Sequence, residues 1–311
     1  MMDSLPQVFT HDTLPTQVRV YEVSARDGLQ AESLTLPAQT RAQLISRLAG
    51  AGLRTIEAGS FVSPRAVPQM ADTRSVLDGL DLDSDISYPV LVPNRRGLDE
   101  ARAAGAKDIA VFVSVTESFS RANLGDSLEV TTARNLDVAA AATSAGMRVR
   151  GYLSMVFGDP WEGPVDPQRV VTAAAQLLEA GCASISLGDT IGTATPGHVT
   201  AVLQSLIESG VPVDAIALHT HNTYGQALAN VFAALQLGVS EFDASAGGVG
   251  GCPFAGSATG NLATEDLLWM LNGLGISTGV DIRTVAETSQ WLSRQLDKPL
   301  ASATSAAIVN Q

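Results

Sequence analysis

Residues 18–273 divide into eight β-rich runs, each followed by a helical run, and this alternation predicts an α/β fold, a (β/α)8 TIM barrel with an additional C-terminal helix. Two further observations support that class. Several helical runs end on a glycine suited to a C-cap, at Gly52, Gly105, Gly146, Gly181 and Gly238. Polar and chargeable residues also gather at the C-terminal ends of the expected strands, where such barrels carry their sites.

In chain order, strands are expected at 18–24, 54–59, 86–92, 108–115, 148–155, 183–188, 214–220 and 240–245, from short apolar or alternating runs. Helices are expected between them at 37–51, 66–78, 96–105, 127–146, 167–181, 196–210, 223–238 and 261–273. A further helix at 281–297 has Ile282, Val285, Leu292 and Leu296 at helical spacing and serves either to cover the barrel bottom or to make a dimer contact. No linker composition divides the chain. The expected organisation is an N-terminal arm (1–17), one catalytic domain (18–297) and a small, polar, disordered tail (298–311).

Composition narrows the function classes. The 311 residues are 45% hydrophobic, as in a globular enzyme. The net charge of −13 argues against a nucleic-acid partner, which needs clustered Lys and Arg. No apolar run reaches the length of a membrane helix, so no membrane partner is expected. Two cysteines make no disulfide framework, and the polar N-terminal residues resemble neither a signal nor a transit peptide; the expected location is cytoplasmic.

Two of the four histidines, His219 and His221, close the apolar run 213–218. In a strand, residues two apart share a face, so both imidazoles point one way. Asp27 ends the first strand and Asn261 opens the last helix. Two imidazoles, a carboxylate and an amide oxygen form a mixed N/O set that favours Mg²⁺ or Mn²⁺, with Zn²⁺, Fe²⁺ or Co²⁺ also able to bind. The alternative is that the histidines only hydrogen-bond within a polar barrel mouth. Cys252, among glycines and before Pro253, is either a nucleophile, acid or base, or an incidental loop thiol. The Gly247–Gly251 run reads as a lid, and it lacks the lysine and spacing of a P-loop. Cys182 reads as a small buried hydrophobe.

The strand-1 motif 22–30 (EVSARDGLQ) resembles the signature of the metal-dependent lyase and Claisen-condensing barrel superfamily. Within it, the chain most resembles the 3-hydroxy-3-methylglutaryl-CoA lyase family, through residues 60–64, 67–70, 186–192, 223–230, 250–253 and 260–266. The resemblance implies a divalent metal held by Asp27, His219, His221 and Asn261. It also implies Arg26 as the group stabilising the enolate oxygen, Cys252 in proton transfer, and Glu57 and Asp189 as acidic site residues. Gln30 and Ser186 are implied as substrate contacts, an acyl-CoA as substrate, and a homodimer as the assembly. The implied reaction is retro-Claisen cleavage of 3-hydroxy-3-methylglutaryl-CoA, or a close 3-alkyl relative, to acetyl-CoA and a 3-ketoacid.

The chain departs from the family pattern at Ser24-Ala25 (usually Gly-Pro), Ser33 (usually basic), Asp159 (often Cys) and Asn222 (usually Asp). An aldolase or condensing enzyme of the same superfamily is the second reading, and the glycine-loop cysteine favours cleavage over it. A non-catalytic binding barrel is the third. Retention of all four expected ligands and of Cys252 speaks against that reading, because packing needs none of them.

Overall fold

The computed structural model describes residues 5–251 and 260–309. Among the described residues, nine short strands build one parallel sheet: β1 (Arg19–Glu22), β2 (Thr55–Ile56), β3 (Gly59–Ser60), β4 (Val90–Leu91), β5 (Asp108–Ser114), β6 (Arg148–Ser154), β7 (Ser184–Asp189), β8 (Ile216–Thr220) and β9 (Glu241–Ala244). Their order is β2-β1-β9-β8-β7-β6-β5-β4-β3. The two ends of the sheet are therefore consecutive in the chain, with only Glu57 and Ala58 between them. Glu57 N–H donates to Glu22 O at 2.9 Å, while Ile56 and Ala58 donate to Ser87 O at 3.0 Å and Pro89 O at 2.8 Å. The sheet thus curls until its ends meet, in a TIM-barrel-like α/β fold.

Helices connect the strands: α1 (Ala38–Gly50), α2 (Thr73–Asp78), α3 (Arg95–Ala103), the single turn α4 (Glu117–Phe119), α5 (Leu128–Ser144), α6 (Pro167–Glu179), α7 (Pro196–Glu208), α8 (Ala227–Gln236) and α9 (Thr264–Gly273). The outward strand residues, such as Val111, Leu153, Leu187, Leu218 and Phe242, are buried against helix residues such as Leu44, Leu48, Val138, Leu177 and Leu203. Each such side chain contributes about 1.5–3 kcal/mol by leaving water.

The inward face is different. Alternation along β6 turns Arg148, Arg150 and Tyr152 inside, and along β9 it turns Glu241 and Asp243 inside. Beside a small inward apolar cluster of Leu91, Ala110 and Phe112, the interior of the sheet thus carries a polar and charged column rather than the branched aliphatic packing usual in such barrels.

Several expected boundaries move. The helix expected at 66–78 shortens to α2, because Pro68–Met70 forms a separate turn and Asp72 takes a left-handed φ of 58°. The last barrel helix begins at Thr264, so Asn261 does not open it; it lies in an extended stretch bridged to His221. A wide turn at Ser24–Gly28, in which Gly28 N–H reaches back to Val23 O at 3.1 Å, was invisible to pattern. Such turns concentrate at functional sites.

Helix α10 (Ile282–Leu296) starts where Asp281 Oδ1 accepts from Thr284 N–H at 2.7 Å. It runs outside the sheet, packed on α1, α9 and the Ala246–Gly248 turn, and so does not close the barrel bottom. The tail expected to be disordered instead folds as α11 (Ala303–Val309). Ser302 Oγ accepts from Ser305 N–H at 3.0 Å and donates to Asp266 Oδ1 at 3.1 Å. A serine starting a helix was readable; its tertiary partner Asp266 was not. Among the described residues, no helix is long and apolar enough to cross a membrane.

Candidate metal centre and active site

His219 lies in β8 and His221 follows its last residue, Thr220; their Nε2 atoms face each other at 3.2 Å. The wide turn after β1 brings Asp27 to them: its Oδ2 lies 4.0 Å from His219 Nε2. One ligand atom from each of these three residues falls within a 4.8 Å span. Burial raises the Asp27 carboxyl, but Arg26 and the two histidines outweigh it and bring the group down to about 2. Burial, helped by the neighbouring His219, drives His221 down to about 4, so its imidazole is neutral at pH 7 and free to act as a ligand.

Asn261 adjoins the group. Its Nδ2 donates to Asp27 Oδ2 at 2.9 Å and to Val249 O at 3.1 Å, while its buried Oδ1 accepts no hydrogen bond. A buried oxygen without a donor beside two imidazoles and a carboxylate matches the needs of a divalent cation. The glycine run that follows β9 sits directly on this group. At Gly250 (φ +113°), a Cβ would meet Asn261 Nδ2 at 2.6 Å and Gly28 Cα at 3.0 Å, so only glycine lets the backbone come this close. Cys252 lies outside the described residues.

Arg26 is held on two sides. Its Nε donates to Glu57 Oε2 at 2.7 Å and its Nη1 to Asp27 Oδ1 at 2.9 Å. Burial works against its charge, yet Glu57 and Asp27 overcome that and keep the guanidinium charged. The Tyr152 ring lies 5.3 Å from it, and Tyr152 OH donates to Glu57 Oε2 at 3.4 Å. A cavity of about 170 Å³ opens above these groups, lined by Arg26, Asp27, Gln30, His219 and His221 and walled by Leu91, Phe112, Phe119 and Tyr152.

The remaining expected site residues lie elsewhere. Ser186 does not line the cavity; its Oγ donates to Asp243 Oδ2 at 2.9 Å behind His219. Asp189 follows Gly188 in β7 and so takes the opposite, outward face, where its Oδ1 accepts from Ala194 N–H at 3.1 Å. Burial lifts its carboxyl to about 6. Glu57 is fully buried beneath Arg26. Of the departures from the family, Asn222 Oδ1 accepts from Ala227 N–H at 3.3 Å at the start of α8. Asp159 accepts from Thr116 Oγ1 at 2.6 Å and from Trp161 N–H at 2.7 Å, tying two loops together.

Pattern reading passed over Asp243, Arg150 and Tyr152, and gave no role to Glu22, which heads the strand-1 motif. His219 Nδ1 lies 3.1 Å from Asp243 Oδ2. Glu22, on the outward face of β1, accepts from Ala246 N–H at 2.9 Å and Thr264 Oγ1 at 2.6 Å, anchoring the glycine run to the first strand. The period-two alternation of 240–245 and 148–155, applied as it was to the histidines, would have placed Asp243, Arg150 and Tyr152 inside.

Fold and site together define a TIM-barrel-like α/β protein whose strand ends carry a candidate divalent-cation group beside a charged, fixed arginine. The chain belongs to the HMGL-like family, which matches residues 17–292. It is 50% identical over 290 residues to the mitochondrial hydroxymethylglutaryl-CoA lyase of Mus musculus, covering 93% of this chain and 89% of that one. The crystal structure of hydroxymethylglutaryl-CoA lyase from Pseudomonas aeruginosa superposes with a TM-score of 0.93 at 42% identity, covering 96% of this chain and 99% of that one. An HMG-CoA lyase from Acinetobacter baumannii, solved with coenzyme A and 3-methylmalate, is similar with a TM-score of 0.89 at 34% identity, covering 96% and 97% of the two chains.

Proposed function

We propose that this chain is a hydroxymethylglutaryl-CoA lyase, cleaving 3-hydroxy-3-methylglutaryl-CoA to acetyl-CoA and acetoacetate. The observation that carries the reading is one cavity holding both the Asp27–His219–His221 group and the charged Arg26. The names of its relatives support it, as does the similar lyase solved with coenzyme A and 3-methylmalate, a hydroxy diacid. The hydrogen bonds of Ile56, Glu57 and Ala58 to both neighbours support reading Thr55–Ser60 as one interrupted strand of a (β/α)8 barrel. The family resemblance supports a homodimer.

Asp27, His219, His221 and the amide oxygen of Asn261 would hold a divalent ion, Mg²⁺ or Mn²⁺ in our reading. When bound, such an ion supplies Lewis acidity to the 3-hydroxyl and carboxylate oxygens of the substrate. A base takes the hydroxyl proton. Asp189, with its carboxyl near 6, is ionised at neutral pH and is the candidate; from the outer face of β7 it acts through a bridging group. As the C2–C3 bond breaks, its electron pair moves toward the thioester oxygen, releasing acetoacetate and leaving the enolate of acetyl-CoA. Arg26, kept charged by Glu57, stabilises that oxygen electrostatically. Gln30 is the proposed further substrate contact in the cavity. Cys252 returns a proton to C2, completing acetyl-CoA.

The test uses purified protein with Mg²⁺ or Mn²⁺ and a thiol reductant. Acetyl-CoA and acetoacetate should appear in equal amounts, a chelator should stop the reaction, and added ion should restore it. Absence of cleavage with every divalent ion tried would sink the reading. With Cys252→Ala, an unchanged rate would remove the proton-return role alone.

A further inference from the structure

We infer that Asp243 and Arg150 are positioning residues of the cation site, setting the His219 ring from inside the sheet. The inference rests on the reading that Asp27, His219 and His221 hold a divalent ion. It starts from strand register: His219 of β8 and Asp243 of β9 are direct lateral partners, and Asp243 is in turn the partner of Tyr21 on β1. Both side chains therefore point into the column enclosed by the sheet.

There the Asp243 carboxylate, with no exposed side-chain surface, is bound on both oxygens. Oδ2 lies 3.1 Å from His219 Nδ1 and accepts from Ser186 Oγ at 2.9 Å. Oδ1 accepts from Arg150 Nη2, and Arg150 Nη1 donates to Glu241 Oε1. The Arg150 guanidinium stands over the Tyr21 ring, 3.9 Å from its centroid, and lies 5.3 Å from that of Tyr152. Arg19 closes the row at the far end, 2.6 Å from Glu241 Oε2. A continuous row of paired charges thus runs up the inside of the sheet and ends on the imidazole of a proposed ligand.

The consequence is chemical. A carboxylate on Nδ1 holds the ring proton there and turns the Nε2 lone pair toward Asp27 and His221. It also makes that nitrogen a better donor to a cation. Arg150 does not line the cavity; its two pairings aim Oδ2 of Asp243 at His219 and keep the carboxylate from rotating. The planar fork of arginine is what allows both carboxylates to be held at once; lysine cannot reproduce it.

The experiment measures Mn²⁺ affinity of the full-length protein by electron paramagnetic resonance, without substrate, alongside circular dichroism and thermal melting. Asp243→Asn should weaken Mn²⁺ binding about 10- to 100-fold. Arg150→Lys and Ser186→Ala should each weaken it by a smaller factor in the wild-type background and leave it unchanged in the Asp243→Asn background, since both act only through that carboxylate. Wild-type affinity in a folded Asp243→Asn protein would overturn the role of Asp243. Losses that multiply in the double variants would overturn the role of Arg150, and should Arg150→Lys not fold, the Ser186→Ala pair decides whether the carboxylate is positioned from behind. If the wild-type chain binds no Mn²⁺, the cation reading fails and takes this inference with it; if wild type binds and Asp243→Asn binds equally, this inference alone fails.

Discussion

His219 and Asp243 stand side by side in register on adjacent parallel strands, and the 3.1 Å contact between Nδ1 and Oδ2 leaves His219 Nε2 facing His221 Nε2 at 3.2 Å. Strand alternation alone puts the two histidines on one face. The neighbouring strand decides which ring nitrogen is offered to a ligand.

Removing that nitrogen tests the ligand set directly. His219→Ala should weaken Mn²⁺ binding by about 100-fold or more and abolish cleavage at ordinary ion concentrations, because one of the few strong donors is gone. Titration of Mn²⁺ into the purified variant checks this. Normal binding would mean that His219 is not a ligand.

Arg26→Lys separates charge from geometry. Lysine keeps the charge but cannot donate to both Glu57 and Asp27 as Nε and Nη1 do at 2.7 and 2.9 Å. We expect kcat to fall about 10²- to 10³-fold, the usual cost of losing a preorganised donor to a developing oxyanion. Mn²⁺ affinity should move far less. Steady-state kinetics with a parallel metal titration gives both numbers, and a change confined to KM would contradict the enolate role.

Glu265 gives a pH-dependent stability. It is fully buried, accepts from Gly247 N–H at 2.9 Å, and burial lifts its carboxyl from 4.5 to about 7. Between these values the folded chain holds a proton that the unfolded chain has released. Its contribution is therefore greatest below pH 4.5 and declines as pH rises toward 7, by about 3 kcal/mol in total. Glu265→Gln, which cannot ionise, should be more stable relative to wild type at pH 7 than at pH 5. Urea unfolding at the two pH values reads the difference; equal differences would show that Glu265 does not titrate in this range.

The C-terminal segment holds the same turn from the other side. Ala301 and Ser302 N–H donate to Gly247 O at 2.9 and 3.2 Å, and Leu300 packs against Gly247. Truncation after Pro299 leaves that carbonyl and Asp266 without these partners. It should lower stability by about 1–3 kcal/mol and reduce the rate of cleavage, since Gly247 opens the glycine run that precedes Cys252 in the chain. An unchanged urea midpoint would show that the segment is dispensable to the fold.

Much of the fold was legible because its signals are local. The β-rich and helical runs, and the glycines at 52, 105, 146, 181 and 238, follow from hydrophobic periodicity and from the positive φ those caps adopt. Boundaries shifted where a side chain found a distant partner. Asn261 stays extended because it bridges His221 and bonds Asp27, and residues 303–309 become helical because Asp266 receives their first turn.

The sequence by itself determined the α/β class, the shared face of His219 and His221, and the family, because alternation and motif spacing are properties of a single strand or turn. Only the tertiary structure decided what stands behind those groups. The register of β8 and β9 made Asp243 the neighbour of His219, and closure of the sheet brought Glu57 under Arg26 and enclosed Arg150 between Tyr21 and Tyr152. Asp189, prominent in the motif, faces outward because it sits one residue after the inward Gly188. Pairing between strands far apart in the chain has no local signal, and it is that pairing which sets the charges around the site.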